Sequence, residues 1–204
     1  MIFEERLVHP FIRNAALAGM FEARKEVFVD LLKWDLAVLA GRFEVDQFDD
    51  SHARYLIVAS RQGVHLGSAR LLPTERPHIL GTLFSNLCAG PVPTGPGIAE
   101  ITRFCLGRNQ NAAERRQTRN RLVSALVRYA LANGIHRYTG VAELAWLQQI
   151  LAFGWRCRPL GIPRLSAGAM LGALEIDIDT ETPALLAANG IWRDEAPVPA
   201  LEAA

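Results

Sequence analysis

Three groups of side chains have the types and spacing to do chemistry. The first is Glu44-Val-Asp46-Gln-Phe48-Asp49-Asp50, four carboxylates within seven residues. Such a run reads as a solvated surface or as a pocket for a cationic ligand, since close carboxylates hold an ammonium through charge-assisted hydrogen bonds. A metal is a third option, but only His52 lies nearby, and the run lacks the register and central glycine of a calcium loop. The second group is Glu100-Ile-Thr-Arg103-Phe104, inside an otherwise apolar segment. Strand alternation puts Glu100, Thr102 and Phe104 on one face, with Ile101, Arg103 and Cys105 on the other. Charge in a central strand must be paired or solvated. The segment therefore reads either as a structural salt bridge, to Arg70 or the acidic loop, or as a general base at a cleft in the sheet. The third group is Arg108, Arg115, Arg116, Arg119 and Arg121, opposed by Glu114. It is a solvated helix face or a dock for something acidic, such as a carrier protein, the phosphates of coenzyme A or nucleic acid. No aromatics interleave with these arginines, which disfavours single-strand binding.

Other chemistries find little support. There is no Gly-x-Ser-x-Gly, Walker loop or dinucleotide-binding glycine pattern. His9, His52, His65, His78 and His136 have no metal-ligand spacing, and no metal site is expected. Cys88, Cys105 and Cys157 are far apart and odd in number, as expected of reduced thiols rather than a disulfide framework. Lys25 and Lys33 are the only lysines, which restricts Schiff-base chemistry to a charged helical segment.

The elements that must position these groups follow from periodicity. The 204 residues are half apolar and 21% charged, which suits one folded domain with a sizeable core. A net charge of +1 disfavours nucleic-acid affinity of the whole protein. Met1-Ile-Phe-Glu-Glu-Arg6 is unlike a signal peptide, and no apolar run is long enough to span a membrane, so a cytoplasmic protein is expected. Leu17, Phe21, Phe28 and Leu32 predict an amphipathic helix over 15–32. Arg54 to Ser60 and Val64 to Leu72 read as strands joined by the turn at 61–63, with Pro73 ending the second. A short helix over 79–87 and a Pro/Gly-rich loop over 89–97 precede a strand from Ile98 to Leu106. A long helix over 112–132 ends at Asn133-Gly134. Then come a strand from His136, a helix from Leu144 to Phe153, and strands 155–160 and 170–178. This order implies an α/β protein, a single three-layer α-β-α domain with a mixed sheet over residues 1–180. Residues 181–204 read as a weakly ordered tail.

Taken together, the segments resemble the acyl-homoserine-lactone synthases, the LuxI-type autoinducer synthases. The matching pieces are Arg24-x-x-x-Phe28, Trp34-Asp35, Asp46-x-Phe48-Asp49, Gly67-Ser-Ala-Arg70-Leu-Leu-Pro-Thr74, Phe84 and Glu100-Ile-Thr-Arg103-Phe104. They occur in the family's order and spacing across about the first half of the chain. The second half is more divergent. Glu143-Leu-Ala-Trp146 and Phe153-Gly-Trp155-Arg-Cys-Arg-Pro159-Leu-Gly-Ile-Pro163 are similar to an alphaproteobacterial branch that takes unusual acyl groups, some as coenzyme A thioesters.

The resemblance implies an N-acetyltransferase-like fold in which the acyl donor enters a V-shaped gap between the strand bearing Glu100 and the strand from His136. It implies that an acyl group passes from a carrier-protein or coenzyme A thioester to the amine of S-adenosylmethionine, with lactone closure and loss of methylthioadenosine. S-adenosylmethionine would be a consumed substrate, leaving no cofactor. On this reading Asp46 and Asp49 face its ammonium, Phe28 and Trp34 frame its pocket, and Arg24 and Arg103 meet its carboxylate or hold the acidic loop. Phe104 adjoins this pocket, Arg70 stabilises the loop, and Glu100 is the general base, with Asp46 as its substitute. Phe84, Val141, Ala142 and Trp146 line the acyl pocket, Thr139 faces away from it, and Arg115 and Arg116 dock the donor. Two other readings stand beside it. One is an acyl-CoA N-acyltransferase of another small amine, although Gly107-Arg-Asn-Gln110 is a poor pyrophosphate cradle. The other is a non-enzymatic adaptor for an acidic partner.

Overall fold

The computed structural model describes residues 2–6, 15–166 and 168–195. His9 and residues 196–204 lie outside that range. Ten strands are formed: β1 (Ile2–Arg6), β2 (Val38–Leu39), β3 (Phe43–Glu44), β4 (Arg54–Ala59), β5 (His65–Pro73), β6 (Ile98–Leu106), β7 (Arg137–Glu143), β8 (Arg156–Pro159), β9 (Arg164–Ser166) and β10 (Ala169–Asp177). The α-helices are α1 (Ala15–Arg24), α2 (Ile79–Leu83), α3 (Ala112–Ala132), α4 (Leu144–Leu151) and α5 (Thr182–Ala188). Hydrogen bonding orders the main sheet β1-β4-β5-β6-β7-β10-β8, with β9 also on β10, while β2 and β3 form a separate pair. Among the described residues no helix is long and apolar enough to cross a membrane.

Contacts divide the chain into two compact units. The first comprises the residues up to Arg70, Arg103–Ala125 and the segment from Asp194; the second comprises Leu71–Thr102 and Leu126–Arg193. In the first unit, α1 continues into a π-helical stretch, Lys25–Leu31. Sequence periodicity expects one regular helix here. The wider turn carries Trp34 back to Phe28, whose carbonyl accepts the Trp34 N–H at 2.9 Å.

In the second unit β6 and β7 pair in parallel, Ile98–Ile101 against Arg137–Gly140. β10 runs antiparallel to both β7 and β8. The pleat gives this sheet two distinct faces. One carries Glu100, Thr139, Val141, Ala173 and Glu175, and α2 packs on it. The opposite face carries Tyr138, Ala142 and Gly172. There Tyr138 donates its hydroxyl to the Leu126 carbonyl of α3 at 2.9 Å. A Cβ on Gly172 would lie 2.6 Å from the Leu147 side-chain tip of α4, so the Leu147 side chain packs directly over the glycine.

The segment read as a tail departs from expectation in its first part. Asp179 Oδ1 accepts the N–H groups of Glu181 and Thr182, Pro183 suits the opening turn of α5, and Leu186 and Ile191 are buried.

Candidate active site

Burial forces the charges of the first unit to find one another. Arg24 ends α1, Glu44 ends β3, Asp46 and Asp49 follow in the loop, and Arg70 and Arg103 lie on β5 and β6. Arg24 donates to Glu44 Oε2 at 2.5 Å and forks onto Asp49 at 2.8 and 2.9 Å. Arg70 forks onto Asp46 at 2.6 and 3.0 Å and also reaches Asp49 Oδ1 at 2.8 Å. Arg103 bridges Glu44 Oε1 at 3.0 Å and Asp46 Oδ2 at 2.8 Å. Three guanidinium groups therefore meet three carboxylates, a formally neutral cluster in which each charge is compensated by paired, directional bonds.

The electrostatics follow from that pairing. Burial alone would raise the Asp49 carboxyl, but Arg24, its hydrogen bonds and Arg70 outweigh it and hold the group well below the usual aspartate range. Tyr55 donates its hydroxyl to Asp49 Oδ1 at 2.8 Å. Burial and the neighbouring Asp49 charge push that phenol above its ordinary value.

The cluster corrects part of the sequence reading. Asp49 accepts from both ends of Arg24, from Arg70, from Tyr55 and from the Asp46 N–H at 2.9 Å. With its side chain fully buried among these bonds, it holds Arg24, Arg70 and the loop together. Asp46 accepts Arg70, Arg103 and the Phe48 N–H, but its side chain remains 12% exposed, whereas those of Glu44 and Asp49 are at 0%. Glu44 and Tyr55 belong to the site although sequence reasoning did not assign them. The signal for Glu44 was charge balance, since three buried arginines require a third acid. Nothing in the sequence marks Tyr55.

Aromatic side chains lie against this cluster. Phe28 and Trp34 stack with centroids 5.0 Å apart and planes at 18°. The Arg103 guanidinium lies 5.7 Å above the Phe28 ring. Arg103 has φ of 49°, in the left-handed region, so the strict alternation expected along β6 is broken where this side chain is aimed. Phe104, the next residue, is half-buried.

In the second unit Glu100 is fully buried, and its carboxylate is already committed. Oε2 accepts the Ile79 N–H and Oε1 the Leu80 N–H, both at 2.8 Å. A general base must point its acceptor at the proton it takes. Glu100 directs both oxygens at the start of α2, and each oxygen has a second acceptor site. The expected acyl-pocket residues also separate. Phe84 and Val141 pack with Leu80, Leu87 and Ala173 in one apolar cluster. Ala142, one residue beyond Val141, turns to the opposite face by the pleat, and Trp146 packs edge-on to Phe153 at 5.8 Å. Thr139 shares the face of Val141, is fully buried, and its Oγ1 has no hydrogen-bond partner. A cavity of about 690 Å³ beside the cluster shares Val92 and Leu160 with it and is also lined by Arg137, Arg158 and Glu175.

Arg115 and Arg116 are exposed on α3. Arg115 donates to the Gly107 carbonyl at 3.1 Å, which ties it to the end of β6.

Over residues 9–185 the chain matches the autoinducer synthase family. The chain belongs to that family. It is 32% identical to an acyl-homoserine-lactone synthase of Ralstonia nicotianae, over 93% of this chain and 94% of the relative. It is 28% identical to the isovaleryl-homoserine lactone synthase of Bradyrhizobium diazoefficiens, over 89% of this chain and 82% of the relative. Among solved structures it is similar to BjaI, a CoA-dependent acyl-homoserine lactone synthase solved with SAM and isopentyl-CoA, with a TM-score of 0.80 and 29% identity over 97% of this chain and 94% of that one. A putative N-acetyltransferase from Lactobacillus plantarum, at 15% identity and a TM-score of 0.59 over 88% of this chain and 98% of that one, shares the fold. The autoinducer synthase fold seen here is thus a mixed α/β arrangement akin to that of N-acetyltransferases.

Proposed function

We propose that this protein is an acyl-homoserine-lactone synthase. It transfers an acyl group from a coenzyme A or carrier-protein thioester to the amine of S-adenosylmethionine, which then closes to the lactone and releases methylthioadenosine. Membership of the autoinducer synthase family along nearly the whole chain carries this reading. S-adenosylmethionine is consumed as a substrate and serves as no cofactor.

The first unit suits the recognition of S-adenosylmethionine. The arginine–carboxylate cluster is neutral, and it backs Phe28, which in turn supports Trp34; the half-buried Trp34 ring suits a sulfonium through cation–π contact of about 0.5–2 kcal/mol. Asp46 is the one acid of the cluster that reaches solvent. We therefore place the substrate ammonium at Asp46 rather than at Asp49, on the ground of exposure. Arg103, beside Asp46 and above Phe28, suits the substrate carboxylate, while Arg24 and Arg70 hold the loop. Phe104 adjoins that pocket. Lactone closure then needs little help, because the sulfonium is a good leaving group and ring closure is intramolecular.

The second unit suits the acyl chain. Leu80, Phe84, Leu87, Val141 and Ala173 form its apolar wall. Thr139 takes the place held by Ala142 in the sequence reading, since its unpartnered hydroxyl is oriented with Val141 and can donate to an oxygen on the acyl chain. Arg115 and Arg116 remain our candidates for docking the phosphates or carrier of the donor.

The test is product formation. Incubated with S-adenosylmethionine and a panel of acyl thioesters, the protein is expected to release methylthioadenosine and acyl-homoserine lactone in equal amounts. Acylation of some other amine, with S-adenosylmethionine untouched, would overturn the reading in favour of a different N-acyltransferase.

A further inference from the structure

Helix α2 has only five residues, too few to hold itself by its own hydrogen bonds. Its N-cap residue, His78, makes no side-chain capping bond. The first N–H groups of any helix lack partners within it. Here the residues bearing them are buried, Leu80 completely. Glu100, twenty-one and twenty residues further along the chain, accepts both of these N–H groups, one on each carboxylate oxygen. A carboxylate is suited to this twice over, offering two acceptors in one plane and a negative charge at the positive end of the helix.

What α2 carries gives this cap its consequence. Leu80 lies at the centre of the apolar cluster with Leu87 and Ala173, against which Phe84 and Val141 pack. We propose that Glu100 is a positioning residue for the acyl donor: it lashes the first turn of α2 to β6 and so sets the wall that meets the acyl chain. The proposal rests on the synthase reading and assigns Glu100 no proton transfer.

This role differs from that of a base in what conservative variants do. Glu100→Asp keeps the acid but is one methylene too short to reach both N–H groups. Glu100→Gln keeps the reach but turns an NH2 donor against one of them. A clamp is impaired by both changes alike, whereas a base is abolished in the amide and only misplaced in the shorter acid. Gly81→Ala disturbs the same turn without touching Glu100, because its Cβ would lie 2.7 Å from the His78 ring, which must shift. Gly81 itself is exposed, so this variant is expected to fold.

The experiment measures steady-state kinetics with a short and a long acyl donor, together with amide hydrogen exchange at Ile79 and Leu80. Glu100→Asp and Glu100→Gln are both expected to raise the exchange rates, to raise KM for the donor and to change the short-to-long preference by about tenfold, the scale of a displaced apolar contact. KM for S-adenosylmethionine and the pH dependence of kcat should stay as in the wild type. Gly81→Ala should change the preference in the same direction, and it decides the matter if neither Glu100 variant folds. The proposal is overturned if Glu100→Gln loses kcat about a hundredfold while Glu100→Asp retains it, a difference on the scale of general-base loss. It is also overturned if exchange at Ile79 and Leu80 rises with no change in acyl preference. Failure of the wild type to release methylthioadenosine would sink the synthase reading instead, and the exchange measurement would still report whether Glu100 caps α2.

Discussion

Two buried carboxylates, Asp49 in the first unit and Glu100 in the second, solve the same physical problem by different means. Asp49 is neutralised by side chains: two arginines, a tyrosine hydroxyl and one backbone N–H surround it. Glu100 is held by backbone N–H groups of a helix it does not belong to. The first arrangement is a network whose members share their partners, so losing one leaves others charged and buried. The second is a tether on a single element, so its loss is felt as displacement of α2 rather than as stranded charge. The comparison separates a region knit by shared side-chain charges from one in which a side chain ties a strand to the start of a helix.

The sharpest way to break the comparison is to remove a network member. Arg24→Ala leaves Glu44 and Asp49 short of a buried partner and is expected to cost about 3–5 kcal/mol in urea unfolding. A cost below about 1 kcal/mol, typical of a surface pair, would show that the cluster is solvated. Tyr55→Phe removes one bond to a charged acceptor, and about 1.5–3 kcal/mol of stability should go with it. A neutral result would mean that the arginines alone satisfy Asp49.

In the second unit the expected sign reverses. Thr139→Val replaces a buried, unpartnered hydroxyl by a methyl group of similar size and should stabilise the free protein by about 1 kcal/mol. It should also abolish any preference for oxygen-bearing acyl chains. A lowered melting temperature would indicate that the hydroxyl has a partner in solution.

The last effect emerges only in acid. Burial holds the His65 imidazole neutral, with its pKa lowered from 6.5 to about 4. Because the folded value is the lower one, this contribution is fully present above the unfolded value of 6.5 and is lost as pH falls toward 4. Asp49, also depressed, adds a loss that begins only below its ordinary value of 3.8. His65→Gln should therefore flatten the stability profile between those two His65 values and leave the steeper fall at lower pH. An unchanged profile would place the acid sensitivity elsewhere.

Much of this arrangement was legible in the residues because local rules and tertiary structure agree. The hairpin around residues 61–63, strand β6 and helix α3 with Gly134 behind it follow from alternation, apolar spacing and a glycine with φ of 69°. Arg24, Asp46, Asp49, Arg70 and Arg103 came together because buried charge has few alternatives. What periodicity does not encode is where a regular element is broken. The π-helical turn at Lys25–Leu31 keeps apolar residues at helical spacing while moving Phe28, and the left-handed φ of Arg103 re-aims a side chain within a strand. The residues expected to line the acyl pocket part for a related reason. Val141 and Ala142 are neighbours in sequence but lie on opposite faces, and register with β10 decides which faces α2. The hydrogen bonds from Ile79 and Leu80 to Glu100 were not legible because backbone N–H groups are supplied by nearly every residue type.

The most direct test of the division between the two regions is a kinetic split between Phe28→Leu and Phe84→Leu, with both substrates varied. Phe28→Leu removes the ring on which Trp34 stacks and is expected to raise KM for S-adenosylmethionine about threefold to tenfold, the scale of a lost aromatic pair, and to leave KM for the acyl donor unchanged. Phe84→Leu should raise the donor KM and alter acyl preference, with KM for S-adenosylmethionine unchanged. If each variant moves both constants together, or if the effects are exchanged, the assignment of one substrate to each region is wrong.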